Sequence, residues 1–217
     1  MVAEIQFAKA MRSAGDPVSR LAASDGTAGH PFVERLIARR AATRDLSDAV
    51  HALCAVHGHH PDLIEITASL CRDDAARTWL AACARGFAAE RLLLAQLTAA
   101  AGPLPSTPGQ GMSAAALNGE RHTLEMLARS ERTGVALGAV AALVTDWTAV
   151  RGVLANAADR FGVESGASTL PKQGEMETAL AALPAAERAV AFGAHQLLAQ
   201  HRGLWSLLEA RASARGD

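Results

Sequence analysis

The sequence predicts an all-α protein built as a single multi-helix bundle, on three observations. Alanine, the residue with the best helix propensity, fills fifty of the 217 positions. Aromatic residues, which sheets favour, make up 4% of the chain, and tyrosine is absent. Apolar residues recur at spacings of three and four, and no segment alternates with period two over the length of a strand. A chain of this length supports one sizeable core.

The elements follow in order. Residues 1 to 29 are poorly patterned and rich in Gly, Ser and Asp near 24–29, so a loosely ordered N-terminal arm is expected there, ahead of a bundle domain over 30–217. Pro31 opens a short helix to Ala41, with proline at the first helical position. A second helix runs from Asp45 to about His57, where Gly58 is placed to stop it. Pro61 restarts a helix to about Leu70, with Asp62 and Glu65 near its positive dipole end. A long helix spans about 74–101 and ends at Gly102-Pro103. Gly102 to Gly111 is a loop. Helical pattern continues from Ser113 to about Phe161, too long for one straight rod, with Gly134, Gly138 and Thr145-Asp146-Trp147 as places for a break. Gly162 to Gly174 is a second loop, and Pro184 starts a last helix to about Arg211.

Composition narrows the function. The formal net charge is −1 and the pI about 6.7, which argues against a nucleic-acid binder. Arg35, Arg39, Arg40 and Arg44 read as a solvated helix face. Cys54, Cys71 and Cys83 form no C-x-x-C pair and suit a reducing compartment as small apolar fillers. The N-terminal stretch has no signal-peptide apolar run, and Val135 to Val144 is too short to span a bilayer. A cytoplasmic protein that contacts no membrane is expected. His59 and His60 read as turn residues, and no phosphate loop, nucleophile elbow or kinase signature is present.

The informative residues are polar ones inside apolar stripes. Leu46, Val50, Leu53 and His57 share one helix face. Leu80, Cys83, Phe87, Glu90, Leu94 and Leu97 form a seam with the acid in its middle. Leu117, Leu124, Leu127, Glu131 and Gly138 follow the same logic, with Glu120 on that face. Val190, Ala194, Leu197, His201, Leu204 and Leu208 line the last helix. Burying such groups costs several kcal/mol unless they are paired or metal-bound. Two readings follow. In one, His57, Glu90, Glu131 and His201 converge from four helices on a single iron, manganese or zinc ion, as bundles build metal sites. In the other, the acids pair with arginines such as Arg77, Arg91, Arg121 or Arg132, and the histidines are satisfied core residues. The absence of Glu-x-x-His pairs argues against two metal ions. Asp146-Trp147 reads as a cap or bend, with a catalytic carboxylate as the alternative.

His30-Pro31-Phe32-Val33-Glu34-Arg35-Leu36 resembles the start of the haem-oxygenase-like helical superfamily, notably its thiaminase II branch. Phe87-Ala88-Ala89-Glu90, the following Gly/Pro loop, and a small-residue helix ending in Ala142-Leu143-Val144-Thr145-Asp146-Trp147 look similar in order. The resemblance implies about seven helices around a central pocket; a ferritin-like four-helix bundle is the alternative. It also implies iron ligation by Glu90, Glu131 and His201. The chain departs from the thiaminase branch in holding Thr145 and Asp146 where that branch has its cysteine nucleophile, and in lacking pocket tyrosines. An uncharacterised bacterial family of unknown function is the other match considered. Three functions are therefore expected: a metal-binding or metal-dependent oxidative protein, a small-molecule binding module without metal, or a non-catalytic interaction protein that forms a homodimer through an Ala-rich face.

Overall fold

The computed structural model describes residues 17–181 and 186–216. Among them the regular structure is wholly helical. The elements are α1 (Pro17–Asp25), a 3₁₀ turn (Thr27–Gly29), α2 (Pro31–Ile37), α3 (Thr43–His57), α4 (Leu63–Leu70), α5 (Asp74–Ala101), α6 (Gln110–Ala128), α7 (Val135–Phe161), α8 (Gln173–Ala181) and α9 (Glu187–Arg215).

Helix ends follow local chemistry. Pro31 sits in the first turn of α2, behind the N-cap His30, whose Nδ1 accepts from the Phe32 N–H. Asp62 and Glu65 form a capping box at the start of α4, which satisfies two otherwise orphaned backbone donors. Arg91 on α5 then grips both carboxylates, at 2.7 Å from Asp62 and 2.6 Å from Glu65. Gly134, at φ 95°, adopts a left-handed conformation that starts α7 afresh.

The core is one continuous cluster, with Trp147, Trp205, Phe32 and Phe87 almost fully enclosed. α7 and α9 make the most extensive packing in the molecule. Two glycines permit it. A Cβ at Gly138 would collide with the Val190 carbonyl oxygen, and one at Gly193 with the Val135 carbonyl oxygen. By length and composition α7 could cross a bilayer, but 72% of its apolar window is buried within the bundle, as in the core helix of a soluble protein. The apolar run is therefore longer than Val135 to Val144, and neighbouring helices cover it. At the far end, Asp48 accepts from Arg211 Nε and Nη2 and from Arg215 Nη1, all at 2.8 Å. This charge-assisted cluster ties α9 to α3.

Two expectations are revised. The N-terminal arm is ordered bundle from Pro17 onward: Val18 is fully buried and Thr27 is 1% exposed. Only residues 1–16 of the expected arm lie outside the described residues. Its short apolar spacing, Val18, Leu21 and Ala22, was masked by the polar residues around it. The second loop is shorter than expected, because α8 begins at Gln173. Pro184, the expected start of the last helix, lies outside the described residues; α9 is described from Glu187.

Candidate functional site

Five of the buried polar residues, Thr27, His57, Glu120, Asp146 and His201, come from the 3₁₀ turn, α3, α6, α7 and α9. Asp146, on α7, lies between Leu143 and Val150 on a face fully covered by protein. Its Oδ2 is 2.6 Å from His201 Nδ1 on α9. The same carboxylate accepts from the Thr27 N–H at 2.7 Å and the Thr27 hydroxyl at 2.5 Å. Trp205 Nε1 in turn donates to Thr27 Oγ1 at 2.9 Å. Gly26 makes this possible, since a Cβ there would stand 2.6 Å from Asp146 Oδ1 and strike the Ala22 carbonyl oxygen.

Burial pushes the Asp146 carboxyl up, but the His201 hydrogen bond and charge, with Thr27, outweigh it and hold the group below the usual carboxylate range. An ionised carboxylate only accepts, so His201 Nδ1 carries the proton in this contact. In the neutral ring, Nε2 then presents a lone pair. That Nε2 is buried without a hydrogen-bond partner.

His57 ends α3 and packs edge-on to His201, with ring centroids 5.1 Å apart. Trp147 at 5.2 Å and Phe87 at 6.2 Å close in around it. Burial, reinforced by His201, holds His57 well below the usual histidine range, so it is neutral. Its Nε2 also lacks a partner. Glu120, on α6, is 8% exposed, with Oε1 buried and unpaired. Burial pushes its carboxyl up to about 7, with His201 pulling the other way. Three helices thus each bring one unpaired polar atom into the interior. An aspartate-oriented imidazole beside an acid that titrates near neutrality can give and take a proton.

The linkage has a definite sign. Glu120 holds its proton more tightly when folded, so stability falls as pH rises from the ordinary 4.5 through about 7. His57 acts oppositely, and its contribution is lost as pH falls below 6.5. Glu120→Gln removes the first effect. Urea unfolding is expected to show the variant more stable than the parent at pH 8, by on the order of 3 kcal/mol, and close to it at pH 4. Parallel stability curves from pH 4 to 8 would contradict the burial of an unpaired acid.

One cavity reaches His57, and a second lies further along the same helices, lined by none of the centre's residues. The first, of about 20 Å³, is lined by His57, Leu63, Arg121, Leu124 and Leu143 among others, and has room for one water. The second, of about 250 Å³, lies between α3, α6 and α9, lined by Ala52, Ala55, Leu117, Leu207 and Leu208, with Asp48 and Arg211 in its wall. These are the three helices that carry His57, Glu120 and His201, one to two turns further along.

Of the four residues expected at a metal, His57 and His201 come together. Glu90 is buried elsewhere in the core and is fully engaged, by Trp147 Nε1 at 3.0 Å, Arg151 Nη1 at 3.3 Å and Ser168 Oγ at 2.8 Å. Glu131 is exposed in the turn between α6 and α7. It leaves the expected stripe because α6 ends at Ala128 and Gly134 resets the helix phase. Among the described residues no group of three or more His, Cys, Asp or Glu side chains is arranged to hold a metal ion. Cys83 is buried, which pushes its thiol up to about 12. Asp146, Glu120 and Thr27 were not among the expected ligands. Asp146 had a readable signal, an acid flanked by Leu143, Trp147 and Val150 at helical spacing.

These features define an all-helical protein with a cluster of buried polar side chains in its core. The chain belongs to DUF6975, a family of unknown function, whose model matches residues 22–216. No curated protein and no solved structure matches it.

Proposed function

We propose that the protein binds a small, largely apolar molecule in the cavity between α3, α6 and α9, the helices that one to two turns away carry His57, Glu120 and His201. One observation carries this reading. His57 Nε2, His201 Nε2 and Glu120 Oε1 are all buried without partners, on the three helices that wall an apolar cavity of about 250 Å³. Native proteins pair nearly all such atoms, and small-molecule sites combine apolar walls with a few convergent polar groups. A metal centre from the four residues expected at first has less support, since Glu90 is fully engaged within the protein and Glu131 faces solvent.

The test is native mass spectrometry of the untagged full chain, with a thermal-shift screen over indole, pyrimidines, haem and 2-phenylethanol. A co-purifying small molecule, or a rise in Tm that Leu117→Trp abolishes by filling the cavity, is the expected result. Absence of both would end the reading.

A further inference from the structure

A third cavity lies between α7, α8 and the segment 162–172 that joins them. It shares no lining residue with the cavity between α3, α6 and α9. Its volume is about 400 Å³, within the range of small-molecule pockets. Val144 and Met176 form a buried floor, and the half-buried Leu170 and Pro171 extend the apolar wall. The joining segment is seated on α5. Ser168 Oγ donates to Glu90 Oε1 at 2.8 Å, and a Cβ at Gly86 would stand 3.0 Å from the Leu170 backbone. The apolar wall is therefore held in place by the bundle.

Charge narrows what this cavity takes. Arg151 and Lys172 line it, and no aspartate or glutamate does. The two cations differ. Arg151 Nη1 lies 3.3 Å from Glu90 Oε2, and its Nη2 donates to the Gly166 carbonyl oxygen, so its charge is met within the protein. Lys172 is exposed, and its ammonium has no hydrogen bond or ion pair among the described residues. Glu175, three residues on, accepts the Lys172 backbone N–H at 3.1 Å instead. The wall thus carries one positive charge that no side chain answers. The hydroxyl protons of Thr145 and Ser168 are committed to Ala141 and Glu90. The donors left for a ligand are the Lys172 ammonium and the Arg151 N–H groups that those two contacts do not use. A cationic ligand would meet both positive side chains.

We infer that this cavity binds a small monocarboxylate with an apolar body. The body lies on Val144, Leu170, Pro171 and Met176, and the carboxylate pairs with Lys172 at the rim, on the side of Arg151. Lysine carries three rotatable donors on a flexible stem, so its ammonium can follow the anion. An exposed ion pair contributes modestly, and burial of the apolar body supplies the remaining affinity. No covalent step is implied.

Calorimetric titration of the full chain at pH 7.5 with 3-phenylpropanoate, 3-phenylpropanol and 3-phenylpropylamine tests this, with inorganic phosphate as the bare anion. The carboxylate is expected to bind about fivefold more tightly than the alcohol, and more tightly still than the amine or phosphate. Lys172→Gln changes an exposed side chain without partners. It should erase the preference for carboxylate over alcohol and leave the alcohol's affinity within about twofold. Leu117→Trp, which fills the other cavity, should leave carboxylate binding unchanged. The Met176 methyl signal, assigned with Met176→Leu, should shift as the carboxylate is added, and gives a second readout if Leu117→Trp fails to fold. Equal or tighter binding of the alcohol, the amine or phosphate would overturn the inference. So would carboxylate binding that survives Lys172→Gln undiminished, or that leaves the Met176 methyl unmoved. Absence of carboxylate binding at millimolar concentration would overturn it as well, and leave the cavity between α3, α6 and α9 to its own test.

Discussion

Asp146→Ala is expected to lower the unfolding free energy by about 3–5 kcal/mol, the loss found when one partner of a buried charged pair is removed. Three donors converge on this carboxylate: the His201 ring, the Thr27 N–H and the Thr27 hydroxyl. The residue is 3% exposed, so water cannot readily replace it. The damage spreads beyond the pair. Thr27 holds the 3₁₀ turn against α7 and also receives Trp205 Nε1, so releasing it loosens α1 from the bundle. In a protein of this size the expected Tm loss is about 10 °C. Thr27→Val, which keeps the backbone donor and removes the hydroxyl, is expected to cost less, about 1–2 kcal/mol. Urea unfolding of the three proteins at pH 7 checks the order. A loss below 1 kcal/mol for Asp146→Ala would mean that the carboxylate is wet or unpaired.

Gly193→Ala is the second large effect, with an expected cost of about 3 kcal/mol or more. Overpacking usually costs about 1–3 kcal/mol because neighbours shift to make room. Here the neighbour is the backbone of α7 at Val135, which cannot change rotamer. α7 and α9 must separate, and the Asp146–His201 contact lies between the same two helices. The substitution should therefore loosen the centre as well as the fold. Gly203→Ala is the control on the same helix. Nothing lies within 4 Å of a Cβ there, so replacing a helical glycine should stabilise by about 0.5–1 kcal/mol. Opposite signs for two Gly→Ala changes ten residues apart would separate helix propensity from interhelical packing. The same sign for both would contradict the close approach of α7 and α9.

The chain's helical character was legible because alanine content and apolar spacing act locally. His57 and His201 were legible for the same reason, each sitting in an unbroken stripe of leucine and valine. Glu131 was misplaced because the stripe was extended through Gly134. Spacing alone does not reveal that the helix stops at Ala128 and resumes with a new phase. Glu90 was correctly read as buried, but its partners, Trp147, Arg151 and Ser168, lie at least 57 residues away in sequence. Long-range pairing of this kind leaves no local trace. Asp146 and Thr27 show this most clearly, since 119 residues separate them. The N-terminal segment reads as unpatterned because its apolar spacing is confined to Val18, Leu21 and Ala22 among polar residues, and its hold on α7 rests on Gly26 and Thr27.

The most direct measurement is the ¹⁵N spectrum of the His57 and His201 rings in the full chain, titrated from pH 8 to pH 5. A dry centre predicts a His57 that stays neutral well below the ordinary 6.5 and a His201 ring with a proton on Nδ1, toward Asp146. A His57 that titrates at an ordinary 6.5, or a His201 that carries its proton on Nε2, would contradict it.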